Sequence, residues 1–105
     1  MQHSINDVLQ VSVAGHTTGQ LIAAPAAGRR IVVVGFLIAL DAAGEFYFEN
    51  GTSGTDCSGP IEVLADTPVG AFSGMGVLAL DEAQRLDIES TQACNGWIRY
   101  VITSA

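Results

Sequence analysis

The sequence predicts an all-β domain, an antiparallel jelly-roll-like β-sandwich of about eight strands. Residues that favour turns recur along the 105-residue chain at intervals close to the roughly 8–12 residues typical of sandwiches and barrels. Between the turns, several segments alternate apolar with polar side chains, as in Glu45-Phe46-Tyr47-Phe48-Glu49, which is the period of a half-buried strand. No segment sustains the apolar spacing of three and four residues that an amphipathic helix needs.

Four strands are predicted in the first half of the chain, each bounded by residues that favour turns. The strands are Leu9 to Val13, Gln20 to Ala23, Arg30 to Leu40, and the segment that contains Phe46 and Phe48. The turns are at Gly15, Pro25 to Gly28, Asp41 to Gly44, and Asn50-Gly51. Asn-Gly is a strong signal for a turn with positive φ, so Asn50 is expected to end its strand.

Four further strands are predicted in the second half on the same grounds. They are Ile61 to Ala65, Val77 to Leu80, Leu86 to Ile88, and Trp97 to Thr103. The turns that separate them are Gly59-Pro60, Asp66 to Gly70, Gly74 to Gly76, Asp81-Glu82 and Asn95-Gly96. The chain is one domain by length, which we divide into an N-terminal arm with the first strand (1–17) and the sandwich proper (18–105).

The strand from Ile31 to Leu40 differs from the others because it is apolar on both faces. Only one face of a strand in a two-layer sandwich meets the core, so the other face needs cover. Either a neighbouring subunit or an arm or loop of the same chain supplies it. Gly35 is expected to mark a bulge that changes which side chains face the core. The residues predicted to line such an interface with another molecule are Arg29, Arg30, Val32, Val34, Phe36 and Leu37.

Composition and charge argue against several classes of function. Four arginines and no lysine stand against eleven acids, giving a net charge of 4 − 11 = −7, which repels nucleic acid and anionic lipid. No apolar run approaches the ~20 residues of a membrane helix. The N-terminus lacks the features of a secretory signal. We therefore expect no nucleic-acid partner and no membrane insertion. We also expect the protein to be made in a cytoplasm and not exported.

Catalytic and metal-binding patterns do not assemble from the residues present. Ser53 and Ser73 lie in glycine-rich turns that do not match a nucleophile elbow, and the histidines, His3 and His16, are far in sequence from both cysteines. Alternating acids such as Glu45 and Glu49 are typical of a solvated strand face. We predict that the protein is not an enzyme and carries no cofactor or metal.

Two smaller groups of residues invite specific hypotheses. Tyr47, Trp97 and Arg99 could form an aromatic and cationic patch that stacks on sugars or anchors an interface; alternatively, Trp97 completes the core and Arg99 pairs with an acid. Cys57 and Cys94 both fall in predicted turns, where either a single disulfide or two buried thiols would fit.

An ordered set of segments resembles the small jelly-roll virion proteins encoded among the structural genes of tailed bacteriophages. These segments are Ala24-Pro25-Ala26-Ala27-Gly28-Arg29-Arg30-Ile31-Val32-Val33, Ser58-Gly59-Pro60-Ile61, Ala83-Gln84-Arg85-Leu86-Asp87-Ile88 and Gly96-Trp97-Ile98-Arg99-Tyr100-Val101. The resemblance covers about residues 18 to 102, and the order and spacing of the segments carry it.

The resemblance implies a virion protein, often a trimer, that decorates or cements the capsid or forms a module of a tail or fibre. The expected partners are further copies of this chain and the major capsid protein or another virion protein. The first hypothesis is thus a decoration protein that stabilises the head. The second is a receptor- or glycan-binding module of a tail or fibre.

Overall fold

The computed structural model describes residues 8–51 and 54–105, and within them it contains eight β-strands and no helix. The strands are β1 (Leu9–Ile22), β2 (Arg29–Leu40), β3 (Gly44–Asn50), β4 (Thr55–Asp56), β5 (Ile61–Val63), β6 (Val69–Phe72), β7 (Leu78–Ala79) and β8 (Leu86–Ser104). All ladders between these strands are antiparallel. The prediction of an all-β antiparallel fold of about eight strands is confirmed. The first seven residues of the predicted N-terminal arm, including His3, and Ser53 lie outside the described residues.

The 19-residue strand β8 organises the molecule because it pairs with three other strands. Residues 94–104 of β8 pair with β2, and residues 86–90 pair with β3. β1 pairs along the opposite edge of both halves. One layer, here called the β2 layer, therefore contains β2, β6, β7 and the second half of β8. The other, the β3 layer, contains β3, β4, β5 and the first half of β8.

The antiparallel pair of β1 and β8 bends as it passes from one layer to the other. The pairing shifts register between Val13 and His16, opposite Gly96 and Cys94, and the Gly15 amide donates a 2.8 Å hydrogen bond to Oδ1 of Asn95. Gly15 has φ +62° and Gly96 has φ +150°, values that favour glycine. Long strands that turn a corner between layers commonly do so at such bulges.

The turns predicted at Gly15 and at Asn95-Gly96 are therefore wrong, because both lie inside strands. Gly15 had been expected to separate two short strands, which in fact form one continuous strand, β1. Asn95-Gly96 had likewise been expected to separate two short strands, which form the continuous strand β8. A turn and a strand bend need the same backbone conformations, so the local sequence signal is the same. β1 also runs without a break across residue 17, where the sequence had suggested the start of the sandwich.

The core lies between the two layers and is built around three phenylalanines. Phe36 of β2 packs edge-on against Phe46 and Phe48 of β3, with ring centroids 6.3 and 5.3 Å away. Ile98 of β8 is fully buried beside them. T-shaped packing of this kind adds to the free energy gained from burial. These contacts fasten the two layers to each other.

The bulge predicted at Gly35 is present and sets which side chains of β2 face the core. The pairing of β2 with β8 shifts register between Val33 and Gly35. Ile31 and Val33 face inward before the bulge, and Phe36 and Ile38 face inward after it. Because of the extra residue, the inward positions change from odd to even numbers along the strand.

Candidate functional site

The outward-facing residues of β2 receive part of their cover from the same chain. Val32 is only 8% exposed although it points away from the central core. Its strand neighbours are Val101 of β8 and Ala79 of β7, and Gly76 lies so close that a Cβ there would be 2.7 Å from Cγ1 of Val32. The loop before β7 thus covers Val32, as one of the two sequence-based alternatives proposed.

The other predicted interface residues of β2 divide into three groups. Val34 and Leu37 face outward and are half-buried. Phe36 lies in the core at 7% exposure, so it is not accessible to another subunit in this fold; the bulge at Gly35 turns it inward. Arg29 is exposed and donates a hydrogen bond to the Ile102 carbonyl, 3.1 Å away.

Arg30, the second predicted interface arginine, is half-buried beside Arg29. Its Nε is buried and has no hydrogen-bond partner within the part of the chain that the structure describes. Burial of an unpaired donor costs about 1–3 kcal/mol. The strand position of Arg30 is set by its pairing with Thr103 of β8.

Two aromatic side chains and one arginine meet on the outer face of the β2 layer. The rings of Phe72 and Trp97 have centroids 5.5 Å apart at an interplanar angle of 42°. The guanidinium carbon of Arg99 lies 4.6 Å from the centroid of Trp97, within the range of a cation–π contact. Arg99 Nε also donates to Oε1 of Gln10 at 3.1 Å. We call Phe72, Trp97 and Arg99 the aromatic patch.

The strand register explains why these three residues meet. Gly35 of β2 is paired with Phe72 on one side and with Arg99 on the other. Because Gly35 has no side chain, the Phe72 ring occupies that space; a Cβ on Gly35 would be 2.6 Å from Cδ1 of Phe72. Trp97 stands opposite the next outward residue, Leu37. The glycine thus lets Phe72 reach across β2 towards β8.

The alternative placement of Trp97 in the core does not occur. Trp97 is half-buried on the outer face, whereas its neighbour Ile98 is fully buried on the inner face. Arg99 is exposed and its Nε bonds to an amide oxygen. Trp97 and Arg99 share one face of β8, as predicted from the period of two.

Tyr47 lies apart from the aromatic patch, so the predicted group of Tyr47, Trp97 and Arg99 is divided between two layers. Phe46 and Phe48 face the core from β3, and Tyr47 between them faces outward from the β3 layer. Its partner on β8 is Glu89. The bend in β8 is what separates Glu89 and Tyr47 from Trp97.

Carboxylates surround Tyr47 on the outer face of the β3 layer. Glu49 pairs with Asp87 on one side and with Asp56 on the other, and Glu45 pairs with Glu62. Residues paired directly across strands share a face of the sheet. We call this surface the acidic face; its members are Glu45, Tyr47, Glu49, Asp56, Glu62, Asp87 and Glu89, of which Asp87 is only 5% exposed.

Burial and the neighbouring carboxylates alter the titration of two residues on this face, Glu49 and Tyr47. The pKa of Glu49 is raised, first by burial and then by the charges of Glu89, Asp87 and Asp56. Burial and the Glu89 carboxylate likewise raise the pKa of Tyr47. Arg85 bonds through Nε to Oδ1 of Asp87 at 3.0 Å and offsets part of the repulsion on Glu49.

Two open clefts adjoin the acidic face. One of about 240 Å³ is lined by Glu45, Tyr47, Glu89, Ser90 and Thr91. The other, of about 670 Å³, is lined by Ala43, Gly44, Glu45, Glu62, Val63, Leu64 and Thr91. Glu45 and Thr91 border both clefts, and the Thr91 hydroxyl accepts a 3.0 Å hydrogen bond from the Glu45 amide. Among the described residues, no group of three or more His, Cys, Asp or Glu side chains is arranged to hold a metal ion.

Cys57 and Cys94, which both belong to the described residues, are thiols, so the disulfide considered from the sequence is not formed here. Cys94 is fully buried within β8; its predicted position in a turn is wrong for the same reason as that of Asn95-Gly96. Cys57 is half-buried after β4 and packs against the core. Burial, with help from Asp56 and Asp81, raises the pKa of the Cys57 thiol to about 11.

Sequence reasoning missed Phe72 and Met75, each of which is 60% exposed. Their segment had been interpreted as loop because it is rich in glycine. Val69 and Ala71 pack against the core and alternate with Gly70 and Phe72, so a weak period of two was present in β6. The signal that could have found the patch was a phenylalanine, Phe72, in a glycine-rich segment.

No family model and no curated protein matches the chain. Among solved structures it is similar to a carbohydrate-binding module of Cellvibrio mixtus lichenase 5A in complex with cellotriose, at 18% identity and a TM-score of 0.42, over 88% of this chain and 69% of that one. It is similar to the coat protein of Tobacco streak virus at 12% identity and a TM-score of 0.42, over 98% and 91% of the two chains.

A third similar structure is the C-terminal domain of EclA, a sugar-binding protein, at 18% identity and a TM-score of 0.39, over 91% of this chain and 76% of that one. The likeness to all three goes no further than a general similarity of fold. No helix in the described part of the chain is long and apolar enough to cross a membrane.

Proposed function

We propose that this chain is a non-enzymatic structural protein of a bacteriophage virion, a decoration or cement protein that assembles as a trimer and stabilises the head. The observation that carries the proposal is the aromatic patch, in which Phe72 is 60% exposed and packs beside Trp97. Contiguous exposed apolar surface of this kind is typical of sites that another molecule covers. The virion setting rests on the resemblance over residues 18 to 102, and the partner is the major capsid protein or another virion protein.

The aromatic patch is suited to binding because paired strands hold it in place. Phe72, Trp97 and Arg99 stand on β6 and β8, on either side of β2, so little conformational entropy is lost when a partner docks. Tryptophan and arginine are enriched among the residues that dominate binding energy. Burial of the two rings would contribute at roughly 25 cal/mol per Å² of apolar area.

The location in the particle tests the proposal most directly. Quantitative mass spectrometry of purified particles, with labelling of the protein for electron microscopy, is expected to show many copies on the head. Particles assembled without the protein should release their DNA at a lower temperature, which addition of the purified protein should reverse. Its absence from particles would overturn the proposal.

Variants of the patch test whether this surface makes the contact. Trp97→Ala and Phe72→Ser are each expected to weaken binding to particles that lack the protein by roughly thirtyfold, the equivalent of about 2 kcal/mol for an interface hot spot. Leu9→Ser is the matched control because Leu9 is 48% exposed but lies outside the patch. Equal binding by all three variants would assign the contact to another surface.

A receptor- or glycan-binding module of a tail or fibre is the second candidate, and one observation favours it. The Phe72 and Trp97 rings lie side by side with Arg99 adjacent, and flat apolar faces beside a hydrogen-bond donor suit a sugar ring. Tyr47 takes no part because it faces outward from the other layer. A glycan array with the wild type and Trp97→Ala tests this function: binding that the variant loses supports it, and an array without hits excludes the glycans tested.

A further inference from the structure

The two outer faces of this chain are complementary in charge, which bears on how copies contact each other. This inference deepens the proposed function because it concerns the same assembly. The aromatic patch presents two rings and the guanidinium of Arg99, an exposed residue. The acidic face presents Tyr47 among carboxylates contributed by β3, β4, β5 and β8.

The carboxylates of the acidic face are only partly compensated within the chain. Asp87 is paired with Arg85, but Glu49 still experiences repulsion from Glu89 and Asp56, and the pKa of Tyr47 is raised by Glu89 as well. A cation brought in by another molecule would reduce this repulsion. Arg99 carries such a cation at the edge of an apolar surface.

We infer that the aromatic patch of one copy docks on the acidic face of the next, with Arg99 placed beside Glu45 and Glu89. The cleft lined by these two acids and Tyr47 has a volume of about 240 Å³. That is below the range of about 300–1,000 Å³ for small-molecule pockets and is of the order of one or two protein side chains. Tyr47 offers the arginine an aromatic edge between the carboxylates.

The contact is heterologous, because two different surfaces meet, and repeated contacts of this kind give a closed ring or an open filament. Symmetric pairing of two aromatic patches would oppose Arg99 to Arg99, and pairing of two acidic faces would oppose carboxylates to carboxylates. Both arrangements bring like charges together, which disfavours association. A two-fold axis uses one surface twice, so the smallest closed ring that a heterologous contact forms has three copies.

Charge reversal on each side, followed by mixing, tests the inference with the full-length protein. Arg99→Glu and Glu89→Arg are each expected to weaken self-association at least about tenfold, measured by sedimentation velocity over a range of concentrations. An equimolar mixture of the two variants should associate again in part, because the carboxylate introduced at position 99 of one variant then meets the guanidinium introduced at position 89 of the other. In a ring of three copies one contact still joins two copies of the same variant, so pairs of unlike variants are expected to form most readily. Added salt should weaken the wild-type contact.

Two controls separate the contact from effects on charge or folding. Asp81→Arg makes the same change of net charge as Glu89→Arg, at an exposed residue outside both faces, and should leave association unchanged. Arg99→Gln and Glu89→Gln remove the charges with smaller structural change, and circular dichroism confirms that each variant is folded. The glutamine variants should lie between the wild type and the reversed variants.

The outcomes distinguish this inference from the proposed function. If the wild type is a monomer at tens of micromolar, self-assembly itself is refuted. If the wild type associates but Glu89→Arg has no effect, or the mixture of reversed variants stays dissociated, the docking of patch on acidic face is refuted while assembly stands. Particle binding that depends on Trp97 without any self-association would assign the patch to the capsid protein.

Discussion

The outer faces of the two layers differ in charge and in apolar character although one strand, β8, contributes to both. The first half of β8 places Asp87 and Glu89 on the acidic face, and the second half places Trp97 and Arg99 on the aromatic patch. A net charge of −7 thus describes neither face. The bend in β8, more than overall composition, therefore decides which side chains each side of the molecule presents.

The substitution Gly96→Val, at the bend in β8, is expected to destabilise the protein most. A Cβ on Gly96 would overlap the carbonyl oxygen of Leu37 on the adjacent strand, and φ +150° disfavours a side chain. We expect a loss of about 3 kcal/mol or more in the free energy of unfolding, from strain and overpacking together.

Gly59→Val serves as the control for the bend because Gly59 has open space around its Cβ position and no positive φ. Urea titration should place this control within roughly 0.5 kcal/mol of the wild type. A Gly96→Val protein as stable as the control would show that the close approach of β2 and β8 is not required.

The next largest effect is expected at Val32, on the outer face of the β2 layer. Val32→Asp is expected to lower the free energy of unfolding by about 2 kcal/mol or more, because it places a charge beneath the loop that contains Gly76. Val77→Asp, in the loop that contains Gly76 but 37% exposed, should cost less than about 1 kcal/mol. Thermal unfolding of both variants checks this; equal costs would mean that the loop does not shield Val32.

The position of Val32 also changes how an interface is tested. A loss of assembly in Val32→Asp would reflect damage to the fold, since the residue is already covered by its own chain. Trp97 and Phe72 are the appropriate residues for that purpose because both lie on the outer face, with Phe72 exposed and Trp97 half-buried.

A smaller effect is expected on the acidic side. A carboxyl whose pKa is higher in the folded than in the unfolded protein binds its proton more tightly when folded, so its contribution favours folding at low pH and is lost as pH rises from about 4.5 through the folded pKa. Glu49→Gln should therefore raise the stability at pH 7, by roughly 0.5 kcal/mol or less, and flatten the pH dependence of unfolding in that window.

Asp66→Asn is the matched control for Glu49, because it removes one negative charge from a turn outside the acidic face. Chemical unfolding of the wild type and both variants at a series of pH values separates the two effects. If Asp66→Asn gives the same gain as Glu49→Gln, net charge rather than local crowding is responsible.

The smallest effect concerns reactivity and leaves stability unchanged. With its pKa raised to about 11, the Cys57 thiol is almost fully protonated at pH 8, and alkylation should be roughly a hundredfold slower than for a free cysteine. Thiol titration with and without urea, followed by peptide mapping, checks the rate. Rapid labelling of Cys57 in the folded protein would contradict its protection by burial and by Asp56.

Much of the fold was predictable because its signals are local. The period of two identified the strand containing Phe46 and Phe48, and continuous apolar character identified β2 to within one residue of its observed start at Arg29. The bulge at Gly35 followed from a glycine inside an apolar strand. The joining of short strands into β1 and β8 was not predictable, because bends and turns share their local signals.

The candidate site was less predictable because the pairing register of the strands decides which residues meet there. Trp97 and Arg99 share a face by alternation alone, but the approach of Phe72 depends on the pairing of Gly35 with both Phe72 and Arg99. Those pairings join residues far apart in sequence. Tyr47 was grouped with Trp97 for its chemistry, and only the bend in β8 shows that they lie on different layers.

The position of β8 in the chain also sets the order of events during synthesis. β1, β2 and β3 all pair with β8, so they emerge from the ribosome before the strand that completes their hydrogen bonding. Folding dominated by such distant pairings is slow and highly cooperative. Phe72 acquires its neighbour Trp97 only when β8 takes its place beside β2. The aromatic patch is thus complete only after β8 has paired with β2, and a growing chain that has not yet reached β8 lacks this surface.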